Sequence, residues 1–188
     1  MHIFETERLI LRNWDDSDGD RELFFEINSD DRVMEFFPFR RTRAETDAVF
    51  ARMQEMIAET GLGFYAAELK STGELIGFIG LVRTDIEPYI PLGTVEIGWR
   101  LAARYWGKGL ASEGAKAALA HGFETHGLDE IVSFAVYNNE RSTAVMKRIG
   151  MRQDIPSSFI HPRVPDTHLY LKPHVLYRIT AEEWRAEQ

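Results

Sequence analysis

The sequence predicts a mixed α/β fold built as one domain over residues 1–188, with about seven strands and about four helices. Three observations predict it. Segments of period-2 apolar alternation and segments of helical spacing follow one another as strand, two helices, three strands, helix, strand, helix, two strands. Residues 95–111, VEIGWRLAARYWGKGLA, pass from strand alternation through two glycines directly into a helical pattern. No internal repeat, low-complexity tract or linker divides the chain.

The elements follow in order. Residues 6–14 read as the first strand, with Leu9 and Leu11 on one face. Asp15, Asp16 and Ser17 are N-cap candidates for a helix whose apolar face is Leu23, Phe24 and Ile27. Residues 28–41 are irregular and carry Phe36, Phe37, Pro38 and Phe39. Thr42 and Glu45 form a capping box before a helix with a Val49, Met53, Met56 and Ile57 stripe that stops near Gly61. Residues 64–69 are the second strand, and Ser71, Thr72 and Gly73 turn the chain into the third, residues 75–82. That strand is apolar on both faces and therefore central, and Gly77 and Gly80 imply a bulge or close backbone approach. Residues 83–93, with Pro88 and Pro91, read as a loop.

The fourth strand alternates Val95, Ile97, Trp99 and Leu101 with Glu96, Gly98 and Arg100. A helix over residues 110–125 follows, ended near Gly127, and residues 131–136 form a buried fifth strand. Asn139 leads a short helix through Arg148, closed by Gly150. Residues 156–167 hold three prolines and read as a loop, and residues 169–179 as a last strand interrupted at Pro173.

Composition narrows the function classes. Hydrophobic residues at 44% and charged residues at 28% are ordinary for a globular protein. Without cysteine there is no disulfide, thiol nucleophile or cysteine metal site. His161, His168 and His174 have no metal-ligand spacing, so no metal is expected. A formal charge of −8 argues against nucleic-acid binding. No signal pattern and no membrane-length apolar run is present, so the expected location is cytoplasmic, with no membrane partner.

Gly107 and Gly109 expose main-chain amides at the opening of a helix, where the first N–H groups lack intrahelical acceptors and the dipole is positive. This is an anion site suited to a phosphate or pyrophosphate. It is not the GxxxxGK[ST] loop, and the three-glycine dinucleotide fingerprint is incomplete.

The segment Arg104, Tyr105, Trp106, Gly107, Lys108, Gly109 resembles the acyl-CoA loop of the GNAT N-acetyltransferase superfamily. With Glu96 to Trp99 before it and Ala111 and Glu113 after it, it is similar to the RimJ/RimL-like branch, which acetylates protein N-termini. The opening TERLILR stretch is also similar to that branch. A second segment, NERSTAVMKRIGM, matches the superfamily at Asn139, Ser142 and Gly150. The resemblance implies a mostly antiparallel twisted sheet whose central strands splay around the pantetheine arm of acetyl-CoA, the cosubstrate.

It also implies roles. Backbone amides from Trp106 through Gly107, Lys108, Gly109 and Leu110 to Ala111 would hold the pyrophosphate, with charge from Arg104 and Lys108. Trp99, Arg100 and Leu101 would run beside the pantetheine, and Asn139 would contact it. Glu96 would be the base, directly or through water, and Ser142 would hydrogen-bond the CoA sulfur. Relatives often carry a tyrosine where this chain has Met146. The acceptor is then a primary amine, a protein or peptide α-amine foremost. A polyamine, aminoglycoside or amino acid is the alternative, and a non-catalytic acyl-CoA-binding regulatory domain is the alternative of another class. The chain would be a monomer or a homodimer. The acceptor pocket would lie between residues 28–41, 83–93 and 156–167, with Asp30 and Asp31 as candidates for attracting a cation.

Overall fold

A computed structural model describes residues 1–186. Eight strands form one sheet in the order β1-β2-β3-β4-β5-β6-β8-β7. These are β1 (His2–Glu5), β2 (Leu9–Arg12), β3 (Gly63–Leu69), β4 (Leu75–Ile86), β5 (Ile90–Leu101), β6 (Glu130–Val136), β7 (Arg152–Ile160) and β8 (Pro173–Thr180). Among the described residues five α-helices accompany them: α1 (Asp18–Ser29), α2 (Arg43–Thr60), α3 (Leu110–Ala120), α4 (Glu140–Arg148) and α5 (Ala181–Ala186). All pairings are antiparallel except β5 with β6.

The caps form as their residues dictate. Ser17 accepts from the Asp20 amide ahead of α1, and Thr42 with Glu45 closes the capping box of α2. Leu23, Phe24 and Ile27 bury the expected face of α1, where Phe24 meets Trp14 and Phe50 edge-on at 4.9 and 5.4 Å. On α2 the buried residues are Thr46, Phe50 and Ile57, a stripe rotated from the expected one. The large ring of Phe50 takes the core position, and Met53 only packs against its margin.

Five stretches differ from the sequence expectation. The expected first strand, residues 6–14, is confined to β2, and an unexpected strand, β1, precedes it, with the chain turning at residues 6–8. Residues 83–93 are mostly the extended ends of the β4–β5 hairpin, which turns between Ile86 and Ile90. Residues 156–160 belong to β7 despite Pro156. β7 is an edge strand whose ladder to β8 is irregular between Asp154 and Phe159, so a residue without N–H is tolerated there. The last strand starts only at Pro173, after a 3₁₀ turn over Asp166–Leu171, and α3 gives way to a π turn at His121–Thr125.

The glycines of β4 do what close approach requires. A Cβ on Gly80 would stand 2.0 Å from the Gly63 carbonyl oxygen, and one on Gly77 2.1 Å from that of Arg100. On the opposite face of the sheet Gly114 lets α3 press onto β4, since a Cβ there would meet Ile79 at 2.4 Å. The sheet thus has α1 and α2 on the face of Phe78 and α3 on the face of Ile79 and Ile97.

Candidate active site

The parallel pair β5–β6 is registered at Glu96 and Val132. One step further on, the Ser133 hydroxyl donates to the Ile97 carbonyl at 3.0 Å, so a side chain spans the strands there. At the end of β5, the Leu101 carbonyl accepts from the Trp106 indole at 2.8 Å. Alternate residues of a strand aim their backbone groups at the same edge. The amide and carbonyl of Trp99 therefore face the gap between Ile97 and Leu101, where β6 has parted from β5. This is the edge an extended amide-bearing chain can pair with.

At the wide end of the gap, Gly107 and Gly109 hold φ of 74° and 77°, conformations that L side chains rarely adopt. Gly109 is the N-cap of α3, with no side-chain cap, so the first amides of the helix stay available to an anion. The Trp106 amide differs: it already donates to Ala103 at 3.3 Å. Arg104 is turned away from the loop into an ion pair with Glu26 of α1, and Lys108 lies 5.3 Å from the Tyr105 ring.

Arg8 stands beside this loop, and sequence reasoning gave it no role. It donates to the Lys108 carbonyl at 3.0 Å and to Glu113 at 2.6 Å. Glu113 also accepts from the Thr6 hydroxyl and the Arg8 amide, which ties the chain start to the first turn of α3. The signal was present in Thr6, Arg8 and Glu113, but their pairing is long-range.

The second motif opens α4. Asn139 Oδ1 accepts from the Ser142 amide at 3.2 Å, so this side chain caps its own helix. Ser142 is half-buried in the first turn. Met146 is 1% exposed and belongs to the core, so this position offers no hydroxyl to the gap. Arg141 stacks on the Trp106 ring at 4.5 Å and pairs with Glu35 at 2.6 Å. The glycine loop and the α4 turn, far apart in sequence, are therefore neighbours across the mouth of the gap.

Glu96, Gly98 and Arg100 face the α1–α2 side, in register with Val82, Gly80 and Phe78 of β4. Burial pushes the Glu96 carboxyl up to about 8, against a smaller opposing effect of the Thr84 hydroxyl. On the same face lie Phe134, Phe159, His161 and His174, the two imidazole rings 4.8 Å apart. Burial, then His174 and Arg163, push His161 down to about 4, and burial also lowers His174, so both rings are neutral near pH 7. Their sequence separation gave no hint of this meeting. Asp30 and Asp31 are paired with Arg32 and Arg40, so neither is a free anion for an acceptor. Exposed aromatic rings rim this side: Phe39 meets His168 edge-on at 5.2 Å, and Tyr170 lies next to it.

Among the described residues no group of three or more His, Asp or Glu side chains is arranged to hold a metal ion, and no helix is long and apolar enough to cross a membrane.

Comparison with known proteins agrees with this architecture. The family described as Acetyltransferase (GNAT) domain matches residues 8–152. The uncharacterized N-acetyltransferase YnaD of Bacillus subtilis is 30% identical over 184 residues, which is 98% of this chain and 99% of YnaD. FsC-acetyl coenzyme A-N(2)-transacetylase of Aspergillus fumigatus is 29% identical over 168 residues, 87% of this chain and 71% of that protein. The crystal structure of the acetyltransferase (GNAT family) from Bacillus anthracis superimposes with a TM-score of 0.76 at 28% identity, covering 97% of this chain and 99% of that one.

Proposed function

The chain belongs to the acetyltransferase (GNAT) family and is an acetyl-CoA-dependent N-acetyltransferase, and on that premise we propose that its acceptor is the α-amine of a protein or peptide, as in the RimJ/RimL-like branch. The amides at Gly107–Ala111 receive the pyrophosphate, the Trp99 edge pairs with the pantetheine, and α4 closes the far side. An amine reaching the vertex from the α1–α2 side meets Glu96. It attacks the thioester carbon; the new N–C bond forms, the C–S bond breaks, and the amine proton passes to Glu96 directly or through one water. Ser142 is the hydroxyl offered to the leaving sulfur, since Met146 has none. The Trp99 amide is the donor for the oxyanion.

The observation that carries this reading is the place of Glu96, a carboxyl on β5 at the Val132 register where β5 and β6 part, facing the α1–α2 side, with burial raising its pKa. A general base works best when its pKa lies near the working pH. A free α-amine titrates at about 7.7–8.0, whereas a lysine or similar alkylamine titrates near 10.4. An α-amine therefore reaches its neutral, attacking form near pH 8 with less help from a base than an alkylamine needs. The exposed rings of Phe39 and Tyr170, 61% and 66% exposed, suit a macromolecular acceptor, which needs an apolar rim to dock against.

The test is CoA release with acetyl-CoA and a panel of peptides, polyamines, aminoglycosides and free amino acids. Peptides with a free α-amine are expected to give the highest kcat/KM. A higher value with polyamines or aminoglycosides overturns the acceptor class. Acetyl-CoA binding without release above background for any amine overturns turnover itself.

A further inference from the structure

The face that receives the amine also holds a cation that no acid of the described chain answers. Arg100 is part-buried on β5 on the same face as Glu96. Its Nη1 donates to Asn28 Oδ1 at 2.6 Å, and its guanidinium lies 4.3 Å from the Phe37 ring centroid and 5.3 Å from that of Phe78. None of these partners is an anion. The acids of the covering segment are engaged elsewhere: Glu26 with Arg104, Asp30 with Arg32, Asp31 with Arg40, Glu35 with Arg141.

A second cation adds to the imbalance. The Arg41 amide donates to the Asn28 carbonyl at 3.0 Å, which brings Arg41 alongside. Burial first, and then the Arg41 charge, press the Arg100 pKa down to about 9, so it is still a cation at neutral pH. An enclosed charge is costly unless it is paired, and two aromatic faces offset only part of that cost. Asn28 is itself 2% exposed, and its Nδ2 donates to the Phe24 carbonyl at 2.7 Å, which holds Oδ1 toward Arg100. A neutral acceptor thus fixes the guanidinium while leaving other N–H donors of its fork open to a planar anion.

We propose that Arg100, with Arg41 beside it, receives a carboxylate of the acceptor, so that the preferred amine belongs to a peptide carrying an acid close to its N-terminus. The proposal rests on the amine-acetylation reading above. Glu96 and Arg100 are four positions apart on one strand, ~13 Å between Cα atoms at the usual rise. That span suits a short peptide better than a single amino acid. Either an acidic side chain or a free C-terminal carboxylate supplies the same chemistry.

Matched acceptors test it, with CoA release as readout: Ala-Asp-Ala-amide against Ala-Asn-Ala-amide for the side chain, and Ala-Ala against Ala-Ala-amide for the terminus. At least one acid is expected to exceed its amide twin tenfold or more in kcat/KM, chiefly through KM for the peptide. Arg100→Gln is expected to erase that preference. Equal rates for acid and amide in both pairs overturn the proposal while leaving the acetyltransferase reading intact. A preference that survives in Arg100→Gln overturns the role of that side chain. No release with any of the four peptides instead overturns the peptide reading beneath it. Should Arg100→Gln not fold, glutarate decides with the parent chain: inhibition competitive against peptide and not against acetyl-CoA supports the site, and no inhibition up to millimolar concentration overturns it.

Discussion

Glu96 is registered against Val132 at the vertex where β5 and β6 separate. The carboxylate is thereby fixed at the narrow end of the gap, on the α1–α2 face, while the glycine turn and the uncapped start of α3 lie at the wide end. Both positions follow from one strand: a side chain at its middle and a loop at its end are held at a fixed separation by the β5 backbone.

Replacing Glu96 with Gln keeps shape and removes the proposed base. Turnover is expected to fall about 10²-fold or more, the usual range for a lost general base. Calorimetric affinity for acetyl-CoA should stay within about twofold, because the Gly107–Ala111 amides and the Trp99 edge are untouched. In the parent chain kcat/KM should climb as pH rises toward 8. The variant should retain only the part of that rise owed to the amine. Identical pH profiles would remove Glu96 from proton transfer.

The same substitution has a thermodynamic signature. The folded-state pKa of Glu96, about 8, lies above the ordinary 4.5. Between those values the folded chain keeps a proton that the unfolded chain has released, so stability falls as pH rises through the window. Gln has no such dependence. Thermal unfolding should therefore find the variant more stable than its parent at about pH 9, with the advantage vanishing toward pH 4. An advantage independent of pH would mean that Glu96 titrates normally.

Gly109→Ala tests the anion corner. At φ of 77° an alanine is strained by roughly 1–2 kcal/mol, and relief of that strain turns the first α3 amides. Affinity for acetyl-CoA is expected to drop about tenfold, the equivalent of ~1.4 kcal/mol. Gly93→Ala is the matched control: its φ is 87° in the β4–β5 hairpin, away from the glycine turn. It should lower the melting temperature without changing that affinity. Equal loss of affinity in both variants would point to global destabilisation.

What the sequence made legible was local. The Thr42–Glu45 capping box, the α1 face, the Gly107–Gly109 turn and the Asn139 cap each depend on residues within one or two turns of each other, and each formed as read. The element order sufficed for a mixed sheet fold of this family. Tertiary terms decided the rest. Phe50 displaced the expected α2 stripe because a large ring fills the core beside Trp14 and Phe24. Pro156 was compatible with a strand only because β7 lies at the sheet edge. Arg100 with Asn28, Arg8 with Glu113, and His161 with His174 are pairings across the fold, and no local pattern announces them.

The bridge from Ser133 to Ile97 has a mechanical consequence. Past the Glu96–Val132 pair it is a side-chain rung holding β5 to β6, so the two halves of the sheet, β1 to β5 and β6 to β7, are joined along a short seam. A ligand lying along the Trp99 edge would lengthen that seam. Its binding energy would then stiffen the whole molecule, so the loaded form should resist heat and proteases at places no ligand atom touches.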